Sequence, residues 1–465
     1  MKYISTRGQA DILDFEGVTL AGLARDGGLY VPETLPKLSA DDIRQLRGLS
    51  YAEVAYKIMQ PFVAESMNDA ELKHLISETY GAAFRHPVVA PLVQLGNNEW
   101  VLELFHGPTL AFKDIALQLL GRFFDHFTEK RQQKLTILGA TSGDTGSAAI
   151  EGCRGRDNVS IFMLHPKGRV SEVQRRQMTT ILEPNVVNIA IDGTFDDCQA
   201  LVKACFNDLA FRDKVGLTAV NSINWARVMA QIVYYFTSAV ALGAPDRPIS
   251  FSVPTGNFGD IFAGYIAKGM GLPIETLAIA TNSNDILART LETGRYASGT
   301  AASTLSPSMD IQVSSNFERL LFDLTARDGA KVRDYMDAFL LNGSFELRAD
   351  HLAKLRHDFI AGRVDDDQTR ALMKSCMKNT GYVADPHTAV GLAVTRQNLG
   401  GKATPVITLA TAHPSKFGDA VEEACEITPK LPPHMADLYE REERFELLAN
   451  DIHMLQKRVL EGAGN

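Results

Sequence analysis

Cysteine is scarce: five residues in 465, at positions 153, 198, 205, 376 and 425, odd in number and never spaced CxxC. That excludes a disulfide-stapled secreted scaffold and a cysteine-built metal site, and predicts a reduced, cytoplasmic protein. Long apolar runs are missing too. The longest charge-free stretch, Val228 to Pro245, carries Gln231, Thr237, Ser238 and Gly243. It is too short and too polar for a membrane span, and a buried helix is expected there. The N-terminus lacks an apolar segment of signal-peptide length. Positive charge is in deficit, with 47 Lys and Arg against 56 Asp and Glu and a net charge of −9. Nucleic acid and anionic membranes are therefore excluded as main partners, and any anionic small-molecule substrate needs a local basic pocket. No GxGxxG and no GKS or GKT appears at the small-residue loops, which argues against dinucleotide and P-loop nucleotide binding.

What is present is ordinary globular material, 45% hydrophobic and 22% charged, long enough for roughly two to three domains. Residues 1–95 read as a mostly helical accessory subdomain, with alternating caps and amphipathic turns from Ser39 to Val63. From there the style changes to short apolar strands, small-residue loops and helices. Lys134 to Ala140, Ser160 to His165, Val186 to Ile191, Ile249 to Val253 and Thr404 to Ala410 are candidate strands. Strands alternating with helical patterns imply an α/β fold with a mainly parallel sheet, whose ligands bind at the carboxyl ends of the strands. We divide the chain into 1–95, a catalytic region 96–425 with a helical insertion at about 309–385, and a C-terminal helical arm at 426–465.

Four loops stand at such ends. In His106 to Asp114, HisGlyProThrLeuAlaPheLysAsp, the apolar positions Phe112, Ile115, Ala116, Leu119, Leu120, Phe123, Phe124 and Phe127 follow helical spacing. Lys113 then lies in the first helical turn, where the dipole disfavours a cation and burial would free its amine for Schiff-base chemistry. Asp114 beside it pulls the other way, so sequence does not set the sign of the net shift. An isolated lysine here would ordinarily be a solvated helix end; the other loops change that weighting. Pro254 to Asp260, ProThrGlyAsnPheGlyAsp, offers backbone amides at a helix start, a natural phosphate cradle. Thr141, Ser142, Gly143, Asp144 and Thr145 could grip a carboxylate or simply cap the next helix. Thr411 falls just past a strand end, ready to offer a neutral hydroxyl to a ring nitrogen. His413 reads as a structural hydrogen-bonding residue. Two donor clusters, Lys167 with Arg169 and Ser222, Asn224 with Arg227, are either solvated surface or anion sites.

Together these four segments, with AlaArgAspGlyGlyLeuTyrValPro at Ala24 to Pro32, resemble the threonine synthases over nearly the whole chain. The likeness is to the longer bacterial and fungal branch of that family. It implies pyridoxal-phosphate fold type II: two open, mainly parallel sheets flanked by helices, with an N-terminal mostly helical subdomain. It also implies pyridoxal 5'-phosphate as cofactor, held covalently by Lys113, which would then shuttle protons. Gly256, Asn257, Phe258 and Gly259 would hold the cofactor phosphate, with Asp260 at the helix start, and Thr411 would face the pyridine nitrogen. Thr141, Ser142, Gly143, Asp144 and Thr145 would bind the substrate carboxylate region and the cofactor's ring-hydroxyl side. Lys167, Arg169, Ser222, Asn224 and Arg227 are the expected cradle for the substrate's own phosphate. The implied reaction turns O-phospho-L-homoserine and water into L-threonine and phosphate, in a monomer or homodimer. A phospho-lyase or dehydratase on the same scaffold, or a binding protein that kept the fold, are the alternatives.

Overall fold

The computed structural model describes residues 1–81 and 83–463. Position 82 of the expected N-terminal subdomain and the last two residues of the expected C-terminal arm lie outside the described residues. Two open sheets carry the architecture. The larger runs Phe359–Arg363, Ile274–Thr281, Ile249–Pro254, Val406–Ala410, Glu99–Glu103, Leu92–Gly96, and is parallel except for its last pair. The smaller runs Glu446–Leu448, Val186–Ile191, Val159–Pro166, Leu135–Ala140, Leu217–Thr218, parallel throughout. Every residue of Val159–Pro166 and Ile249–Pro254 is buried. Helices cover both faces of such sheets, so even Ser250 and Ser252, which alternate with apolar residues along Ile249–Pro254, lie out of water.

The N-terminal region is helical for local reasons. Ser50 and Asn68 each form a reciprocal capping box, with Glu53 and Glu71, at the starts of Tyr51–Val63 and Asp69–Tyr80. The stretch marked as a buried helix is one: Trp225–Ala241 passes through the core with Trp225, Tyr234, Tyr235 and Phe236 out of water. Asn224 caps it by accepting from the Ala226 amide at 3.0 Å. Among the described residues no helix is long and apolar enough to cross a membrane.

Three expectations need correction. The expected helical insertion at about 309–385 also carries strands: Ser344–Glu346 pairs with Arg295–Ala297, and Phe359–Arg363 pairs with Ile274–Thr281 as an edge strand of the larger sheet. Its signal was three apolar residues followed by Gly362, too little to separate from the helix Ala349–Asp358 that abuts it. The C-terminal arm is likewise not wholly helical: Glu446–Leu448 adds a strand beside Val186–Ile191 before the helix Ile452–Gly462 begins. Leu92–Gly96 pairs with Glu99–Glu103, so a boundary between 95 and 96 would cut a hairpin.

One packing detail positions the site. Helices Lys113–Arg131 and Asp144–Cys153 touch backbone to backbone, since a Cβ on Gly121 would lie 2.0 Å from the Gly152 carbonyl oxygen. That contact brings the starts of the two helices together. Gly121→Ala should gain up to about 1 kcal/mol in helix propensity but lose about 1–3 kcal/mol to overpacking. We expect a net loss of stability, read as a lower midpoint of urea unfolding.

Candidate active site

Lys113 opens its helix, and Phe112 at the cap position makes no side-chain cap. Asp114 does not oppose it as the sequence implied. The Asp114 carboxylate turns back under the loop, accepting from Thr109 N at 2.8 Å, Thr109 Oγ1 at 2.7 Å and Gln118 Nε2 at 3.1 Å. Burial raises that carboxyl to about 6, against the lowering effect of the Thr109 donors. The acid that meets Lys113 comes instead from the neighbouring helix: Asp144 Oδ2 lies 3.3 Å from Lys113 Nζ. Ser308 Oγ, on the short turn Pro307–Met309, lies 3.4 Å from the same nitrogen.

Asp144 is buried and heavily partnered. Its Oδ1 accepts from Gln174 Nε2 at 2.8 Å and from Lys416 Nζ at 2.9 Å. Burial alone would raise this carboxyl, yet Lys416, Lys113 and Gln174 together hold it well below the usual carboxylate range. Lys113 is shifted downward. Burial is the main cause, opposed by Asp144 and reinforced by the fields of Lys416 and Arg227.

Pairing of two loops sets Thr411 against this lysine. Phe112 N donates to Thr411 O at 2.8 Å, His413 N donates to Leu110 O at 3.0 Å, and Ala111 bridges Ala412. Thr411 is buried and its hydroxyl makes no hydrogen bond among the described residues. His413 is structural: its Nδ1 accepts from Ser415 N at 3.2 Å and caps the turn Pro414–Phe417.

Gly256 to Asp260 form the turn into helix Gly259–Met270, with Phe258 left-handed at φ 63° and no side-chain cap. The loop's carbonyls are drawn outward. Gly256 O accepts from Ser314 Oγ at 2.7 Å, and Asn257 O accepts from Asn316 N at 3.0 Å and Nδ2 at 2.9 Å. Arg319, fully buried, holds Asn316 and also donates to Tyr30 O at 3.0 Å and Ile223 O at 2.6 Å. With the carbonyls engaged elsewhere, the first-turn amides are left for an anion. Ser308 joins this loop to Lys113, because a Cβ on Gly256 would meet its carbonyl oxygen at 2.9 Å. Asp260 Oδ1 accepts from Tyr234 and from Tyr235, the latter at 3.0 Å, while Oδ2 is buried without a partner; burial raises this carboxyl to about 6.

The expected carboxylate-gripping loop is partly a cap. Thr141 Oγ1 accepts from Gly143 N and Gly146 N, both at 2.9 Å, leaving Ser142 exposed and Thr145 half-buried. The donor clusters also divide. Asn224 is committed to its helix cap and to Thr19 O at 2.9 Å. Ser222 packs beside Gly259, with its Cβ 3.8 Å from where a Gly259 Cβ would stand. Arg227 is buried, donates from Nη1 to Val220 O at 3.0 Å, leaves Nε without a partner and meets no carboxylate among the described residues. Burial lowers its guanidinium to about 10. Lys167 and Arg169 are exposed, and Lys167 lines a separate 310 Å³ cavity with His165, Arg175 and Glu443.

Sequence reasoning missed Ser308, Gln174, Lys416 and His387. Only Lys416 carried a signal, as part of the ThrAlaHisProSerLysPhe segment. His387 Nε2 accepts from Ser308 N at 3.2 Å, so its ring proton sits on Nδ1, facing Asp385 Oδ1 at 2.8 Å.

Two open, mainly parallel sheets whose strand ends converge on a buried lysine have the architecture of pyridoxal-phosphate enzymes of fold type II. Residues 85–340 match the family model described as "Pyridoxal-phosphate dependent enzyme". Residues 2–80 and 388–459 match "Threonine synthase N terminus" and "Threonine synthase, C-terminal". The chain is 57% identical over 460 residues to the threonine synthase of Pseudomonas aeruginosa, covering 99% of this chain and 98% of that one. Superposition on the pyridoxal-phosphate-bound threonine synthase of Brucella melitensis gives a TM-score of 0.97 at 54% identity, with all of both chains covered. The yeast threonine synthase gives 0.93 at 40% identity, covering 100% of this chain and 99% of that one. The chain belongs to the threonine synthase family. Its cofactor is pyridoxal phosphate, and the residues present suit that group: a buried amine, a first turn of open amides and a neutral hydroxyl.

Gly143 has φ 144°, and a Cβ there would stand 2.3 Å from Gln174 Cδ. Gly143→Ala should push Gln174 off Asp144 and disturb the contact to Lys113. A displacement near 1 Å costs about 10²-fold in rate, and we expect a kcat loss of that order with unchanged far-ultraviolet circular dichroism.

Proposed function

We propose that this chain, as a monomer or homodimer in the cytoplasm, converts O-phospho-L-homoserine and water to L-threonine and phosphate. The observation that carries this reading is Lys113: a buried amine, shifted toward its free base, at the start of a helix. Five free, buried cysteines support a reducing compartment.

In the proposed roles Lys113, the amides of Gly256, Asn257, Phe258 and Gly259, and the Thr411 hydroxyl hold the cofactor. When bound, pyridoxal phosphate supplies the electron sink that makes the substrate's Cα and Cβ hydrogens removable. Lys113 Nζ is the base at Cα and Cβ, because Lys416 has all three of its protons engaged and cannot accept one. Positioned base catalysis of this kind contributes about 10²–10⁴-fold. In net terms Cγ loses phosphate and gains hydrogen, and Cβ receives the hydroxyl from water. Asp144 and Ser308 orient Nζ between those transfers. Arg227, a buried guanidinium without a carboxylate, is the strongest candidate for the substrate phosphate, with Ser222 beside the cofactor loop. Lys167 and Arg169, on the exposed strand end, would act in the approach of the anion.

Borohydride reduction of the loaded enzyme followed by peptide mapping should place the pyridoxyl label on Lys113; a label elsewhere overturns the site. The wild-type enzyme should release phosphate and threonine in equal amounts, and Lys113→Ala should release neither. Release of a keto acid in place of threonine would make the phospho-lyase the right reading. Arg227→Ala should raise KM for phosphohomoserine at least tenfold, as loss of a charged hydrogen bond of about 1.5–3 kcal/mol requires. An unchanged KM removes Arg227 from the phosphate site.

A further inference from the structure

The proposed chemistry uses one lysine of the site, yet a second is buried there. Lys416 Nζ is fully enclosed and donates to Thr109 O at 2.6 Å, Gln177 Oε1 at 2.9 Å and Asp144 Oδ1 at 2.9 Å. Three ammonium protons meet three acceptors drawn from the loop before Lys113, helix Glu172–Thr179 and helix Asp144–Cys153. Among the described residues Lys113 has two longer polar contacts, 3.3 Å to Asp144 Oδ2 and 3.4 Å to Ser308 Oγ, and lies 5.1 Å from the centre of the Phe112 ring. Asp144 is thereby split between its two oxygens. Oδ1 belongs to Lys416 and Gln174, while Oδ2 alone faces Lys113.

We propose that Lys416 is a positioning residue that keeps the charge of Asp144 from trapping Lys113 as an ammonium ion. This rests on Lys113 being the reactive amine. An unopposed carboxylate beside a buried lysine stabilises the protonated form, whereas a carboxylate already matched by a cation leaves little field at the next amine. The short, fully satisfied contacts of Lys416 make it the preferred partner of the anion. The charged groups bearing on Lys113 are Asp144, Lys416 and Arg227. Those bearing on Asp144 are the two lysines. Asp114 and His413 also lie within the field of Lys416.

Lys416→Met leaves Asp144 with Lys113 as its one cation among the described residues, so Lys113 keeps its proton to higher pH. Asp144→Asn leaves Lys416 unopposed, so Lys113 loses its proton at lower pH. The double variant removes both charges and returns Lys113 toward its original behaviour. Competitive acetic anhydride labelling of the apoprotein, with the Lys113 peptide quantified across pH, reads this without turnover. We expect the half-labelling pH to rise by about one unit in Lys416→Met, a tenfold change in free amine at fixed pH. It should fall in Asp144→Asn and recover in the double variant. An unmoved titration in Lys416→Met, or a rise in Asp144→Asn, overturns the proposal and leaves Lys416 as packing alone. Should Lys416→Met not fold, the direction in Asp144→Asn decides. Pyridoxyl mapping of the wild type stays on Lys113 in every one of these cases, so failure here is distinct from failure of the active-site assignment.

Discussion

A carboxylate buried between two lysine side chains is the interaction around which the site is arranged. Asp144 is nearly out of water, and so are both of its lysines. At an effective dielectric near 20, unit charges 4 Å apart interact by about 4 kcal/mol, comparable to the penalty of about 3–5 kcal/mol for leaving a buried charge without its partner. Asp144 therefore has to be ionised and matched by a cation, and the neighbouring backbone is built to allow it. The glycine contact between Gly121 and Gly152 brings the two helix starts close enough for Asp144 to reach Lys113. Gly143 lets Gln174 close on the carboxylate from the other side.

Each sheet contributes one half of this constellation. Leu135–Ala140 in the smaller sheet delivers Asp144. In the larger sheet Ile249–Pro254 delivers the open amides of Gly256 to Asp260, and Val406–Ala410 delivers Thr411 and Lys416. Parallel strands place their carboxyl ends on one side, so loops from different strands converge without long excursions. The segment Ser306 to Asn316 ties the halves together: Ser308 touches Lys113, and Ser314 and Asn316 engage the carbonyls of Gly256 and Asn257. The His387–Asp385 pair fixes Ser308 in turn through its backbone amide. None of these supports is near Lys113 in sequence.

Much was legible in the chain itself. The 3.6-residue rhythm after Phe112 located the lysine helix, and the apolar runs at 160, 186 and 249 located strands, because both signals are local. The start of helix Gly259–Met270 and its lack of a cap were readable from the ProThrGlyAsnPheGlyAsp loop. What failed was also systematic. Phe359–Arg363 and Glu446–Leu448 are short edge strands whose partners lie far away in the chain, and three apolar residues cannot announce a partner. Asn224 looked like an anion donor and is a helix cap, a choice decided by which amide its oxygen meets.

Sequence by itself determined which lysine would stand in a first helical turn, which loop would turn into a helix start and that Thr411 would follow a strand, since each depends on contacts within a few residues. Tertiary structure alone decided which acid faces that lysine. Asp114 is adjacent in the chain but is drawn beneath Thr109 and Gln118, while Asp144, thirty-one positions away, arrives on a second helix with Lys416 already attached. The physical reason is that an electrostatic partner is chosen by distance through space in a poorly screened interior, and the packing of helices sets that distance.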